Sequence, residues 1–112
     1  MDKKLDGKFL RFQKDVNRTW TERNNLEEEA TEACMGLSNE ASEVASEIEK
    51  WVFRGKKLDI EIVKEELGDT FYYFVKLLDL FRLSLTDVMK ANVDKRKKKK
   101  KNDYRYKSYL EE

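Results

Sequence analysis

The absence of proline constrains this chain more than any other feature. Among its 112 residues there is no proline, and glycine stands only at positions 7, 36, 55 and 68. Proline removes an amide donor and clashes with the preceding turn, so a chain without it has lost the strongest interrupter of a helix. Glu, Lys and Leu are abundant and favour helix wherever they stand. The sequence therefore predicts an all-α fold.

Periodicity divides the chain into four helices. Leu5, Phe9, Phe12, Val16 and Trp20 recur at helical spacing and mark one face of the first. A polar stretch follows, and Asn25 with Glu28 resembles a capping box that opens a second helix near Leu26. The second helix is expected over about 26–54, with Gly36 as a candidate break and Arg54-Gly55 as its stop. Asp59 caps a third over about 60–82, whose core face is expected to be Ile60, Val63, Leu67, Phe71, Phe74, Leu78 and Phe81. Ser84 with Asp87 repeats the capping pattern and opens a fourth helix through about 96.

Leu, Ile, Val and Phe make up a quarter of the chain. That exceeds the roughly one-fifth below which disorder is the better expectation, yet it is lean for a core standing alone at this length. The expected architecture is an antiparallel bundle of about four helices, completed by homo-oligomerisation. Residues 1–96 form the helical domain and residues 97–112 a basic, tyrosine-containing tail. Residues 90–112 carry a net charge of +6 and residues 1–89 a net −5. The lysine run 95–101 repels itself and is expected to fray.

Several function classes are excluded. No apolar stretch approaches the roughly 18–20 residues of a membrane span. The N-terminus lacks a signal-peptide apolar region, so a cytoplasmic location is expected. The single cysteine, Cys34, excludes an intrachain disulfide framework and a cysteine-built zinc site. Histidine is absent, which removes Ser-His-Asp triads, histidine metal sites and imidazole acid–base chemistry. Any reaction must run on carboxylates, lysines, arginines, tyrosines or a bound metal.

Glu40 and Glu43 stand three apart on the second helix, with Glu47 one turn on. Glu66 and Asp69 stand three apart on the third, with Tyr73 one turn on. The short link between these helices favours antiparallel packing, which can bring the two carboxylate edges together. Acids facing one another in a partly dry groove repel, and a divalent cation compensates; oxygen ligands suit Mg²⁺ or Mn²⁺. Spacing alone is weak, since Glu29 and Glu32 make another such pair and a charged helix edge is commonly a solvated face. Gly68 lies between Glu66 and Asp69 and suggests close backbone approach. Lys50, Arg54, Lys56, Lys57, Lys95 and Arg96 supply cations at neighbourhoods that can border the groove. Acids for a metal and bases at the rim suit a phosphate ligand.

Three stretches go further. Gly36-Leu37-Ser38-Asn39-Glu40-Ala41-Ser42-Glu43-Val44 resembles the first motif of the MazG-like, all-α nucleoside triphosphate pyrophosphohydrolases. Glu65-Glu66-Leu67-Gly68-Asp69, with Tyr72 and Tyr73, resembles their second motif. The segment from Leu83 to Arg96 resembles their closing helix, with Asn92 and Lys95 as its Asn-x-x-Lys signature. Asn39 stands where the family often has a second glutamate, and the lysine run replaces a short arginine-containing turn. The resemblance implies Mg²⁺ held by Glu40, Glu43, Glu66 and Asp69. It implies cleavage of nucleoside triphosphates between the α and β phosphates, giving a monophosphate and pyrophosphate. It also implies a nucleotide held by Asn92 and Lys95, and a homodimer or homotetramer.

Without histidine, a carboxylate must orient or deprotonate the attacking water; Glu43 is the first choice, with Glu40 and Glu65 as rivals. Lys50, Arg54 and Lys95 are candidates for phosphate contacts, and Trp51 and Tyr73 for stacking on the base. Two other readings stay open. One is a catalytically silent helical scaffold. The other is nucleic-acid binding through the lysine run, disfavoured because no aromatics interleave those lysines.

Overall fold

The computed structural model describes the backbone of residues 3–102 and the side chains of residues 7–99. It contains four helices, and among the described residues there is no strand: α1 Lys3–Thr19, α2 Leu26–Phe53, α3 Ile60–Leu80 and α4 Leu85–Asn102. The expected all-α class is the observed one. Leu5 of the first apolar face, and Tyr104, Tyr106 and Tyr109 of the basic tail, lie outside the described side chains.

The helix starts follow from local chemistry. The Asn25 side chain accepts from the Glu28 amide at 2.9 Å, and the Glu28 carboxylate accepts from the Asn24 amide at 3.2 Å. Asp59 accepts from the amides of Glu61 and Ile62 at 3.1 and 3.3 Å, and Ser84 from that of Asp87 at 3.0 Å. Each satisfies donors that a first helical turn leaves free. At the far end of α2, Gly55 takes φ +69°, the left-handed region where a Cβ is penalised, and the Lys56 amide turns back to the Lys50 carbonyl. Gly36 does not break α2, which is continuous through it.

Residues up to Phe81 form one compact unit. α1 and α2 both pack on α3. Val16 of α1, Ala33 of α2, and Val75 and Leu78 of α3 are its buried apolar residues. Phe9 and Phe12 extend this contact to Phe71, which stacks on Phe74 at 5.8 Å between ring centres.

The end of α1 is clamped by polar groups. Lys76 is buried, donates to Asn17 at 2.9 Å and lies 5.2 Å from the centre of the Trp20 ring. The Thr19 and Tyr72 hydroxyls meet at 2.9 Å. A buried ammonium needs partners, and an amide oxygen plus an aromatic face supply them.

The expected core face of α3 splits. Leu78 is buried, whereas Ile60, Leu67, Phe71 and Phe81 are exposed. α1 and α2 pack on the side carrying Val75 and Lys76; Phe71 is partly covered by Phe9 and Phe12 of α1, while Ile60, Leu67 and Phe81 stay exposed among the described residues. Trp51, Val52 and Phe53 at the end of α2 are exposed as well.

Residues from Arg82 belong to a second unit. Its helix α4 passes the expected stop near residue 96 and continues through Asn102. Lysine propagates helix well, and the helix carries its own ties: Lys90 pairs with Asp94 at 3.5 Å, and Arg96 donates to Asn92 at 2.7 Å. Self-repulsion in the lysine run is not enough to end it there.

Candidate active site

α2 and α3 are joined by six residues and run antiparallel: Gly36 lies against Tyr73, while further along α2 the carboxylates of Glu40 and Glu43 meet the earlier Glu66 of α3. On each helix a three-residue step returns to nearly the same face, so acids on one edge of α2 confront an acid on the edge of α3. One carboxylate oxygen from each of Glu40, Glu43 and Glu66 lies within 4.8 Å of the others. Glu40 and Glu66 are half-buried, and Glu43 is exposed at the rim.

The cluster is electrostatically incomplete. Oε2 of Glu40 and Oε2 of Glu66 are buried and have no hydrogen-bond partner. An ionised carboxylate oxygen only accepts, so two such groups in contact bond only when one of them carries a proton. Proximity to the carboxylates of Glu43 and then Glu40 pushes the Glu66 pKa up to about 7, with burial and the neighbouring charges adding to the effect.

A divalent cation would perform the same neutralisation without the proton. Three hard oxygen donors from two rigid helices, two of them with unpartnered buried oxygens, fit Mg²⁺ or Mn²⁺.

The remaining expected site residues are distributed differently. Asp69 lies one turn beyond Glu66 on α3, is exposed, and stands outside the group of three. Its charge reaches Tyr73, whose phenol is pushed up chiefly by burial and secondarily by Glu40. Tyr73 packs edge-on against Trp20 and Tyr72 and borders an open hollow with Glu32, Met35, Gly36, Ser38 and Asn39. Trp51 is exposed at the end of α2. Lys50 and Lys56 both pair with Glu47, at 3.7 and 3.2 Å, and Arg54 donates to Glu49 at 2.9 Å. Lys50, Arg54 and Lys56 are thus engaged with acids of α2, and Glu47 is occupied by two of them. Glu65 is exposed. Asn92 and Lys95 lie on α4, in the second unit, both exposed.

Two sequence features take on different roles. The pair Glu29 and Glu32 anchors the loop before α2: Trp20 Nε1 donates to Glu29 at 2.8 Å, and Arg23 makes two bonds to Glu32 at 2.6 and 3.0 Å. The Arg23 guanidinium holds the Glu32 carboxyl below its ordinary range. The close approach expected at Gly68 is absent, since a Cβ there would meet nothing within 4 Å; it occurs at Gly36 instead. Lys76 was not foreseen, and its only sequence signal is a cation in the midst of Tyr72, Tyr73 and Val75.

A family model described as the MazG nucleotide pyrophosphohydrolase domain matches residues 21–103. The chain belongs to this family. Searches of curated proteins and of solved structures each found no match. The MazG domain begins just after α1 and takes in α2, α3 and α4, so both acid-bearing motifs and the Asn-x-x-Lys segment fall inside it. Membership brings nucleotide pyrophosphohydrolase activity as the general function of the fold. The acidic cluster of this MazG domain sits between α2 and α3, in a family that is typically dependent on a divalent metal.

Proposed function

We propose that this MazG domain hydrolyses nucleoside or deoxynucleoside triphosphates between the α and β phosphates, releasing a nucleoside monophosphate and pyrophosphate. The observation that supports this most is the convergence of Glu40, Glu43 and Glu66 with two buried oxygens lacking any partner. These three residues would hold Mg²⁺ or Mn²⁺, with Asp69 as the further donor from the second motif. The bound cation would supply charge neutralisation for the triphosphate oxygens and a water of lowered pKa.

The chain's own carboxylates do the rest. Glu43, exposed at the rim, accepts the proton of the attacking water, with half-buried Glu40 beside it and exposed Glu65 as the alternative bases. Attack forms a new oxygen–phosphorus bond at the α phosphorus and breaks the bond to the bridging oxygen, which departs with pyrophosphate. Lys50 and Arg54 stand at the end of α2 and would exchange their pairing with Glu47 and Glu49 for phosphate oxygens. Tyr73 and Trp51 are the proposed aromatic contacts for the base. For Asn92 and Lys95 the reading rests on the family's closing-helix signature.

We further infer that a second copy of the chain covers the exposed apolar residues Ile60 and Leu67 on α3, since exposed apolar surface on a helix suits an association face. A dimer or tetramer in the cytoplasm is the state expected. Among the described residues no helix is long and apolar enough to cross a membrane. The segment from residue 97 onward is assigned a solubilising role.

The test is a panel of nucleoside triphosphates incubated with protein and Mg²⁺, with pyrophosphate and orthophosphate measured separately. Pyrophosphate release that is lost in Glu40→Gln and Glu66→Gln is the expected result. Orthophosphate as the product, or undiminished rates in both variants, would overturn the assignment. A silent scaffold would turn over nothing, and sedimentation velocity reports the assembly independently.

A further inference from the structure

The carboxylates of α2 and α3 meet only if the two helices stand at one particular separation. What sets it lies one turn from Glu40. At Gly36 the Tyr73 ring occupies the space a side chain would take: a Cβ built there would lie 2.5 Å from Cδ1 and from Cζ of that ring. No real Cβ contact is so short. Gly36 precedes Glu40 by four residues and Glu43 by seven, and Tyr73 follows Glu66 by seven, so this contact and the acidic cluster lie on one α2–α3 interface, one to two turns apart. The ring is not free to retreat at will. Trp20 stands edge-on to it at 6.2 Å and Tyr72 at 5.3 Å. Trp20 is itself held by its bond to Glu29 and by Lys76 against its face.

We propose that Gly36 and Tyr73 form a size-matched spacer that sets the α2–α3 separation, and with it the geometry of the Glu40–Glu43–Glu66 oxygens. Both are positioning residues in this role. The consequence for metal binding rests on the proposed function; the spacing itself does not. Glycine within a helix is unfavourable relative to alanine, so Gly36→Ala favours α2 taken alone and any harm arises from the contact. Gly68→Ala makes the same chemical change in α3, between Glu66 and Asp69, where nothing lies within 4 Å.

The experiment compares metal-free crystal structures and Mn²⁺ titration calorimetry of the wild type, Gly36→Ala, Gly68→Ala, and Gly36→Ala combined with Tyr73→Ala. Gly36→Ala is expected to widen the Glu43–Glu66 oxygen separation and to weaken Mn²⁺ binding about 10- to 100-fold, the usual effect of disturbing the support of metal ligands. Gly68→Ala should change neither. Removing the ring in the double variant should restore the separation and most of the affinity.

A Tyr73 ring that swings aside in Gly36→Ala, with helices unmoved and affinity kept, would overturn the proposal. If Gly36→Ala fails to fold, rescue of folding by Tyr73→Ala supports the same contact, and failure of that rescue overturns it. A widened groove in a protein whose wild type binds no Mn²⁺ would sink the metal reading and leave the spacer standing.

Discussion

Metal binding to this cluster must release a proton, and the amount can be worked out. The neighbouring carboxylates of Glu43 and Glu40 push the Glu66 pKa up to about 7. A cation bound by all three carboxylates displaces the Glu66 proton, since metal ligands must be deprotonated. With a pKa of about 7, the site holds about 0.9 proton at pH 6, about 0.5 at pH 7 and about 0.1 at pH 8. Each Mn²⁺ bound should release those amounts, and the apparent affinity should fall about tenfold from pH 8 to pH 6. Calorimetry in pairs of buffers with different ionisation enthalpies reads the proton count directly. Glu66→Gln should remove both the release and the pH dependence while weakening binding. Proton release below about 0.3 at pH 6 would refute the raised pKa of Glu66, because an ordinary carboxylate is already ionised there.

The same group makes a separate prediction for the metal-free protein. The folded pKa of Glu66 lies above its unfolded value, so its contribution to stability is complete below about pH 4.5 and is lost as pH rises through about 7. Relative to wild type, Glu66→Gln should therefore gain stability between pH 5 and pH 8, read as the difference in urea midpoints at the two values; an equal difference at both refutes it. In the core, Val75 is completely buried, and Val75→Ala should lower unfolding free energy by about 2–3 kcal/mol from lost transfer energy and the cavity left behind. A urea melt showing less than about 1 kcal/mol would mean that α1 and α2 close on the vacancy.

Much of the secondary structure is legible residue by residue. Asn25, Asp59 and Ser84 cap the helices they were expected to open, because a cap depends on a side chain reaching an amide two or three residues away. Helix ends were less legible. The fourth helix outruns its expected stop because lysine's helix propensity and internal ties outweigh self-repulsion along the run. The acid motifs could be found by spacing and resemblance, but spacing did not distinguish them from Glu29 and Glu32. That pair acquires its partners from Trp20 and Arg23, residues in a loop whose path no periodicity encodes.

The sequence by itself determined that the chain is helical, where three of its helices begin, that no imidazole chemistry is available, and that carboxylates recur at one-turn spacing on two neighbouring helices. Each of these depends on residues a few positions apart. Only the tertiary structure decided which acids converge, leaving Asp69 outside the group while Glu43 and Glu40 push the Glu66 pKa up. Only it showed that close approach falls at Gly36 rather than Gly68, that Lys50 and Arg54 are already paired, and that Lys76 is buried. The physical reason is common to all of them. A helix presents every face by the same local rule, and which face becomes interior depends on the packing of residues tens of positions away.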